Sequence, residues 1–122
     1  MHKIKWGIVG AGNIADAFAH SIGHCQDSEL AGIFARNQEK LDKFSDKFNT
    51  KPYLKLEDFF TSNEIDAVYI ATPHNSHYFY TLEAIKHKKH ILCEKPISMN
   101  HLESMVLLDM AQNAGVFLME AY

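Results

Sequence analysis

The sequence predicts an α/β fold in which a doubly wound parallel sheet of six strands carries helices on both faces. Short apolar runs recur along the chain, helical apolar stripes separate them, and a glycine-rich turn follows the first run. Strand and helix alternation at this density is typical of a doubly wound sheet. With 122 residues, the chain has the size of one domain.

Each predicted strand is a short run rich in Val, Ile, Leu, Phe and Tyr. Several runs are apolar on both faces, as expected for strands that helices cover on both sides. The six runs are Ile4–Val9, Leu30–Ala35, Lys51–Leu54, Ala67–Ala71, His90–Cys93 and Val116–Met119. The third of these carries the weakest pattern.

Apolar residues at i, i+3 and i+4 spacing predict five helices between the strands. Their apolar faces are Ile14, Ala15, Phe18, Ala19 and Ile22; Leu41, Phe44 and Phe48; Leu56, Phe59 and Phe60; Tyr78, Leu82 and Ile85; and Leu102, Met105, Val106 and Met110. Asn37 and Asn100 are candidate N-caps of the second and fifth helices, and Gly115 is a candidate C-cap of the fifth.

Composition and charge exclude several classes of function. The 12 basic and 15 acidic residues give a net charge of −3, which speaks against nucleic-acid binding. The basic run Lys86–His90 is interpreted as a helix C-terminus that complements its dipole. No apolar run approaches the roughly 18 residues of a membrane span. Because no signal-peptide core precedes the first strand, we expect a cytoplasmic protein in which Cys25 and Cys93 are reduced, buried thiols.

The turn after the first strand reads G-A-G-N-I-A at positions 10–15, the Ala-ended form of the dinucleotide-binding fingerprint. Its first glycine permits a tight turn, and its second lets the backbone approach a pyrophosphate without an intervening Cβ. The following helix offers N–H groups and a positive dipole end to phosphates. The predicted cofactor-binding residues here are Gly10, Ala11, Gly12, Asn13 and Ile14. A turn needed only for packing is the alternative.

The end of the second strand indicates which dinucleotide binds. An NAD site usually has Asp or Glu there to hold the ribose 2′-hydroxyl. Positions 34–36 hold no carboxylate; instead Ala35 leaves room and Arg36 supplies a guanidinium that suits a 2′-phosphate. We therefore predict NADP rather than NAD. The alternative for Arg36 is a solvated side chain at a strand end.

The loop after the fourth strand is expected beside the first turn, because ligands of a doubly wound sheet bind beyond the carboxyl ends of its strands. Thr72 and Asn75 are predicted to bond to the ribose or amide of the cofactor. We predict no metal at His74 and His77, because no Cys or carboxylate cluster completes a ligand shell. His77 is either a cofactor residue or a helix N-terminal residue that bonds to local backbone.

The fifth strand ends in E-K-P at positions 94–96. Pro96 disfavours the α region for Lys95, and the resulting extended backbone directs the lysine side chain. A lysine at such an edge, next to a buried apolar run, is a candidate general acid or base. From the residues alone, an ordinary solvent-facing Glu–Lys pair remains the alternative.

Three segments in register, residues 10–15, 71–77 and 94–96, resemble the glucose–fructose oxidoreductase/inositol dehydrogenase/MocA family. The resemblance covers the whole chain, in order and at the family's spacing. Residues 92–96 followed by 117–121 are most similar to the branch that contains dihydrodiol dehydrogenase, which uses NADP.

The resemblance implies an NAD(P)-dependent oxidoreductase that transfers hydride to or from a sugar, polyol or diol. It implies that Lys95 is catalytic, near the reacting oxygen and the nicotinamide, and that Glu94 lines the nicotinamide end. The residues implied on the ribose and pyrophosphate side are Ala71, Thr72, Pro73, Asn75 and His77. In the family, an arginine after the second strand favours NADP, and Arg36 matches it.

Family members continue into an α+β domain that holds most substrate contacts and usually the oligomer interface. The resemblance therefore implies that residues 1–122 are the NAD(P)-binding Rossmann domain alone, from a protein expected to be a homo-oligomer. The alternative function is an NADP(H)-sensing regulatory module without turnover. Lys95 favours the enzyme, because a sensor needs no proton donor at the nicotinamide.

Overall fold

A computed structural model describes residues 3–121 as a six-stranded parallel sheet with helices on both faces. The strands are β1 (Ile4–Val9), β2 (Ser28–Phe34), β3 (Pro52–Tyr53), β4 (Ala67–Ile70), β5 (His90–Glu94) and β6 (Leu118–Ala121). The helices are α1 (Asn13–Ile22), α2 (Gln38–Phe48), α3 (Leu56–Thr61), α4 (His77–Lys86) and α5 (His101–Ala114), with a 3₁₀ turn at His74–Ser76. No helix in this range is long and apolar enough to cross a membrane.

The strand order is β3-β2-β1-β4-β5-β6 and every pair is parallel, which confirms the predicted doubly wound fold. Helices α1 and α2 cover one face, and α3, α4 and α5 cover the other. Successive β1 residues point to opposite faces of the sheet. Ile8 therefore packs in the core under α1 and α2, and Val9 packs in the core under α3, α4 and α5. The strand order reverses between β1 and β4, and a ligand crevice is expected at the carboxyl edge of that point.

The predicted strands lie within two residues of the observed ones, and β6 is displaced at both ends. Phe117 approaches β5 before the strand begins: its N–H donates to Nδ1 of His90 at 3.0 Å, and its carbonyl accepts from the Ile91 N–H at 2.8 Å. Regular pairing starts at Leu118, opposite Ile91. The displacement brings Glu120 into the strand, near the carboxyl edge.

The predicted helix caps are confirmed. The Asn37 side chain accepts a hydrogen bond from the Lys40 N–H at 3.0 Å, and the Asn100 side chain accepts one from the Glu103 N–H at 2.8 Å. Gly115 ends α5 in the left-handed region, with φ of 75°. An Asn cap of this kind contributes about 1 kcal/mol, so the sequence fixes these helix ends locally.

The predicted packing faces of α4 and α5 need correction. The buried residues of α5 are Leu107 and Ala111, whereas Leu102 and Met105 are 72% and 54% exposed. Because α5 is apolar on more than one side, spacing alone does not select the side that packs on the sheet. In α4, Ile85 is buried as predicted, and the predicted Tyr78 and Leu82 are half-buried against the same core. The buried face also includes His77, Tyr80, Thr81 and Ala84, which the prediction missed.

The prediction of two buried thiols is wrong for Cys25. Cys93 is buried in β5, and burial raises its pKa to about 12. Cys25 is exposed in the loop between α1 and β2, with its Sγ 3.4 Å from the Ser21 carbonyl oxygen. Residues 23–27 form a surface turn there, so the neighbouring apolar residues in the sequence do not bury the thiol.

We expect iodoacetamide at about pH 8 to alkylate Cys25 and leave Cys93 unmodified, because alkylation requires an accessible thiolate. Intact-mass spectrometry is expected to show one adduct on the folded chain and two after unfolding in urea. Peptide mapping locates the adduct. Two adducts on the folded chain, or one on Cys93, would contradict the burial that the structure shows.

Candidate functional site

A cleft of about 430 Å³ opens at the carboxyl edge of β1, β2 and β4. Its walls are the turn after β1, the end of β2 and the loop after β4. The lining residues are Val9, Gly10, Ala11, Gly12, Phe34, Ala35, Arg36, Asn37, Lys40, Ala71, Thr72, Pro73, Asn75, Ser76 and Tyr80. Most of the residues predicted to bind cofactor are therefore brought together at one place.

The two glycines of the turn differ in what a side chain would meet at each position. Gly10 has φ of +109°, and a Cβ there would lie 2.7 Å from the Ala71 carbonyl oxygen, so the turn itself requires glycine. Gly12 is exposed, and a Cβ there would meet no protein atom within 4 Å. Packing against protein atoms therefore does not require glycine at position 12. Since α1 starts without a side-chain cap, its first N–H groups suit a phosphate.

Two cationic side chains belong to the wall formed by β2 and α2. The Nε of Arg36 donates to the Tyr80 hydroxyl at 3.1 Å, and the guanidinium lies 6.0 Å from the centre of the Tyr80 ring. Lys40 lies in the first turn of α2, where the helix dipole also attracts anions. No carboxylate is found among the described residues that line the cleft. This wall is therefore suited to an anionic group.

The loop after β4 is held by its own hydrogen bonds. The Ser76 Oγ lies 2.7 Å from the Thr72 hydroxyl and 2.6 Å from the Pro73 carbonyl oxygen. These contacts close the 3₁₀ turn and leave Asn75 exposed at the cleft wall. The loop is thus a preformed wall opposite Arg36.

His77 lies beneath this loop rather than on the cleft wall. It is the first residue of α4, and its side chain is fully buried. Its Nδ1 lies 2.5 Å from the Pro96 carbonyl oxygen and its Nε2 lies 2.8 Å from the Thr72 carbonyl oxygen. The structure therefore shows bonding to backbone, and any effect of His77 on a cofactor passes through the Thr72 loop.

The His74 and His77 rings lie 5.6 Å apart in an edge-to-face arrangement. Both His77 nitrogens face backbone carbonyl oxygens, so neither is directed toward a metal position. Throughout residues 3–121, no three His, Cys, Asp or Glu side chains are grouped so that they could hold a metal ion.

Lys95 is exposed at the same edge of the sheet, directly after β5, and its bond to Pro96 is cis. Glu94 is half-buried beside it and accepts a hydrogen bond from the Tyr69 hydroxyl. The Tyr69 ring stacks on Phe18 with 4.0 Å between ring centres. Burial, together with the hydrogen bond to Glu94, raises the pKa of Tyr69. The phenol therefore remains a donor at neutral pH and orients the Glu94 carboxylate.

Several predicted residues do not line the cleft. Asn13 and Ile14 are exposed at the start of α1, and Glu94 and Lys95 lie beyond the end of β5. Sequence reasoning missed the lining residues Lys40, Ser76 and Tyr80, and also Tyr69 behind Glu94. Lys40 carries a usable signal, since it follows Arg36 by about one helical turn. The two tyrosines carry none, because their partners are 44 and 25 residues away in the chain.

The fold and the cleft define a dinucleotide-binding Rossmann domain. The family model GFO_IDH_MocA, described as "Oxidoreductase family, NAD-binding Rossmann fold", matches residues 4–122. The chain therefore belongs to this oxidoreductase family, which confirms the resemblance carried by its three motifs.

Characterised relatives are similar over nearly the whole chain. The scyllo-inositol 2-dehydrogenase (NADP(+)) IolU of Bacillus subtilis (strain 168) is 34% identical over 119 residues, which are 97% of this chain and 36% of that protein. The trans-1,2-dihydrobenzene-1,2-diol dehydrogenase of Mus musculus is 36% identical over 121 residues, again 97% of this chain and 36% of that protein. The chain thus spans about a third of the length of these relatives.

Solved structures show the same fold. KijD10, a 3-ketoreductase from Actinomadura kijaniata in complex with NADP and TDP-benzene, superimposes with a TM-score of 0.92 at 26% identity. The superposition covers 98% of this chain and 37% of that one. GenD2 from gentamicin A biosynthesis, in complex with NAD, superimposes with a TM-score of 0.95 at 19% identity, covers 99% of this chain and 35% of that one, and supports the fold alone.

Proposed function

We propose that the cleft binds NADP(H) and that the chain is the cofactor-binding part of an oxidoreductase acting on a sugar, polyol or diol. One observation carries the proposal: a single cleft combines Gly12, which packing does not require, with a cationic wall of Arg36 and Lys40. The relatives named for scyllo-inositol and for a dihydrodiol support the substrate class. A cytoplasmic location and a homo-oligomeric parent protein stay predictions.

Different residues of the cleft are assigned to different groups of the cofactor. Gly12 and the first N–H groups of α1 suit the pyrophosphate, and Ala35 leaves room for the adenosine ribose. Arg36 and Lys40 suit a 2′-phosphate, for which charge-assisted hydrogen bonds contribute roughly 1.5–3 kcal/mol. Because Tyr80 engages the Arg36 Nε, the guanidinium plane is partly ordered before binding, and less side-chain entropy is lost.

Lys95 is the proposed general acid or base. A bound nicotinamide dinucleotide supplies the hydride acceptor or donor. In the oxidative direction the neutral Lys95 amine accepts the proton of the substrate hydroxyl, and in the reductive direction its ammonium returns a proton to the carbonyl oxygen. Tyr69 orients the carboxylate of Glu94, the residue that precedes Lys95. The position of Lys95 directly after β5, at the same edge of the sheet as the cleft, supports this role.

Arg36→Ala is expected to weaken NADPH binding about 10- to 150-fold and to leave NADH binding nearly unchanged. The fold-change follows from the roughly 1.5–3 kcal/mol of a charge-assisted bond, at 1.4 kcal/mol for each factor of ten. Titration of cofactor fluorescence with each variant measures both affinities.

Lys43→Ala is the matched control, because it removes an exposed cation of α2 that pairs with Glu39 outside the cleft. It is expected to change neither affinity. Equal losses for NADPH and NADH in the Arg36 variant, or a wild-type preference for NADH, would refute NADP specificity.

A further inference from the structure

The peptide bond between Pro96 and Ile97 is held from both of its ends. Its carbonyl oxygen lies 2.5 Å from Nδ1 of His77, and its N–H donates to the Glu120 carboxylate at 3.1 Å. His77 belongs to α4 and Glu120 to β6, so two separate elements fix one peptide plane. This plane begins one residue after Lys95.

The second nitrogen of His77 extends the connection to the cofactor cleft. Nε2 lies 2.8 Å from the carbonyl oxygen of Thr72, and Thr72 lines the cleft. His77 is 0% exposed, so water does not substitute for either partner. Both contacts are hydrogen bonds at the same time only when both ring nitrogens carry a proton, because a neutral imidazole has one N–H.

Lys95 is thereby the exposed residue between two anchored neighbours. On one side, Tyr69 holds the Glu94 carboxylate. On the other side, the Pro96–Ile97 peptide is pinned, and Ile97 itself is 7% exposed. The backbone that carries the lysine is therefore fixed before and after it.

We propose that His77 and Glu120 are positioning residues that hold the Lys95 segment through the Pro96–Ile97 peptide, and that His77 links this segment to the Thr72 wall of the cleft. The importance of the link for turnover rests on the proposed function of Lys95. The imidazole, the peptide and the carboxylate form a chain of hydrogen bonds in which each bond polarises the next. The bond to Glu120 is also charge-assisted.

Two His77 variants separate its two contacts. The amide nitrogen of His77→Asn takes the position of Nδ1, and that of His77→Gln takes the position of Nε2. His77→Asn therefore keeps the bond to Pro96, and His77→Gln keeps the bond to Thr72. The readout is the amide hydrogen-exchange rate of Ile97 divided by that of Ile8 in β1, so that a general loss of stability cancels. We expect a ratio near wild type for His77→Asn and at least about tenfold higher for His77→Gln.

Glu120 is tested in the same way. Glu120→Ala removes the acceptor of the Ile97 N–H and is expected to raise the ratio at least about tenfold. Glu120→Gln keeps an oxygen acceptor and is expected to restore most of the protection. Glu29→Ala is the control. It removes a glutamate at the amino end of β2, away from the carboxyl edge of the sheet, and is expected to leave the ratio unchanged. An unchanged ratio in Glu120→Ala, or equal ratios in the two His77 variants, would overturn the positioning role.

The link to the cleft is tested with 2′-phospho-ADP-ribose, a probe without a nicotinamide. We expect it to shift the Ile97 amide resonance in the wild type but not in His77→Asn, which lacks the contact with Thr72. A probe that shifts Gly12 and leaves Ile97 unmoved in the wild type would overturn the link. A probe that shifts no cleft residue would instead refute the proposed cofactor site, while the exchange ratios still decide the positioning role.

Discussion

Gly12→Val is expected to abolish binding of NADPH and NADH while the chain still folds. A Cβ at this position would meet no protein atom within 4 Å, so we expect the fold to tolerate a side chain there. The branched side chain would instead occupy the space over the start of α1 where we place the pyrophosphate. Fluorescence titration measures the loss of binding, and a thermal melt followed by circular dichroism checks the fold.

Gly10→Val provides the contrast. A Cβ at Gly10 would lie 2.7 Å from the Ala71 carbonyl oxygen in a backbone of φ +109°, so this variant is expected to lose stability itself. Gly12→Ala is expected to cause a smaller loss of affinity than Gly12→Val. A folded Gly12→Val chain with wild-type affinity would show that the turn serves packing alone.

Lys95→Met is expected to lower turnover by about 10²–10⁴, the usual contribution of a general acid or base. The measurement requires a protein that carries this domain together with the remaining length of its relatives. Cofactor affinity is expected to stay within a few-fold, because Lys95 is not among the residues that line the cleft. Because Lys95 is exposed, we expect the substitution to leave the fold intact.

Lys86→Met is the matched control, since Lys86 is an exposed lysine at the C-terminus of α4, where it pairs with Glu83. It is expected to retain wild-type turnover. An active Lys95→Met enzyme would mean that Lys95 is an ordinary surface charge, and the proposed mechanism would fail.

The order of strands and helices was predictable because most strands are short apolar runs, and Asn37, Asn100 and Gly115 mark ends of α2 and α5. Asn37 and Gly115 act through bonds to neighbours in the chain, so the sequence predicts them directly. The packing side of α5 was not predictable, since Leu102 and Leu107 are equally apolar and the sheet alone decides which is buried. The bounds of β6 depend on pairing with β5, which spacing within one strand does not reveal.

The residues of the candidate site likewise fall into a set that the sequence predicts and a set that it does not. The glycine turn and Arg36 were predictable because they follow strands that end at one edge of a parallel sheet. Tyr80 and Tyr69 were not, because the hydroxyl partner of each comes from a distant element. Glu120 contacts Ile97 only through the register of β6. Polar partners brought together by tertiary packing leave no periodic signal in the chain.

The cleft at the ends of β1, β2 and β4 is claimed to bind NADP(H). The most direct measurement is a titration of the ¹⁵N-labelled 122-residue chain with NADPH and, in parallel, with NADH. We expect saturable binding that is tighter for NADPH, with the largest amide shifts at Gly10, Gly12, Arg36 and Thr72. Absence of binding, or shifts concentrated away from these four residues, would contradict the claim.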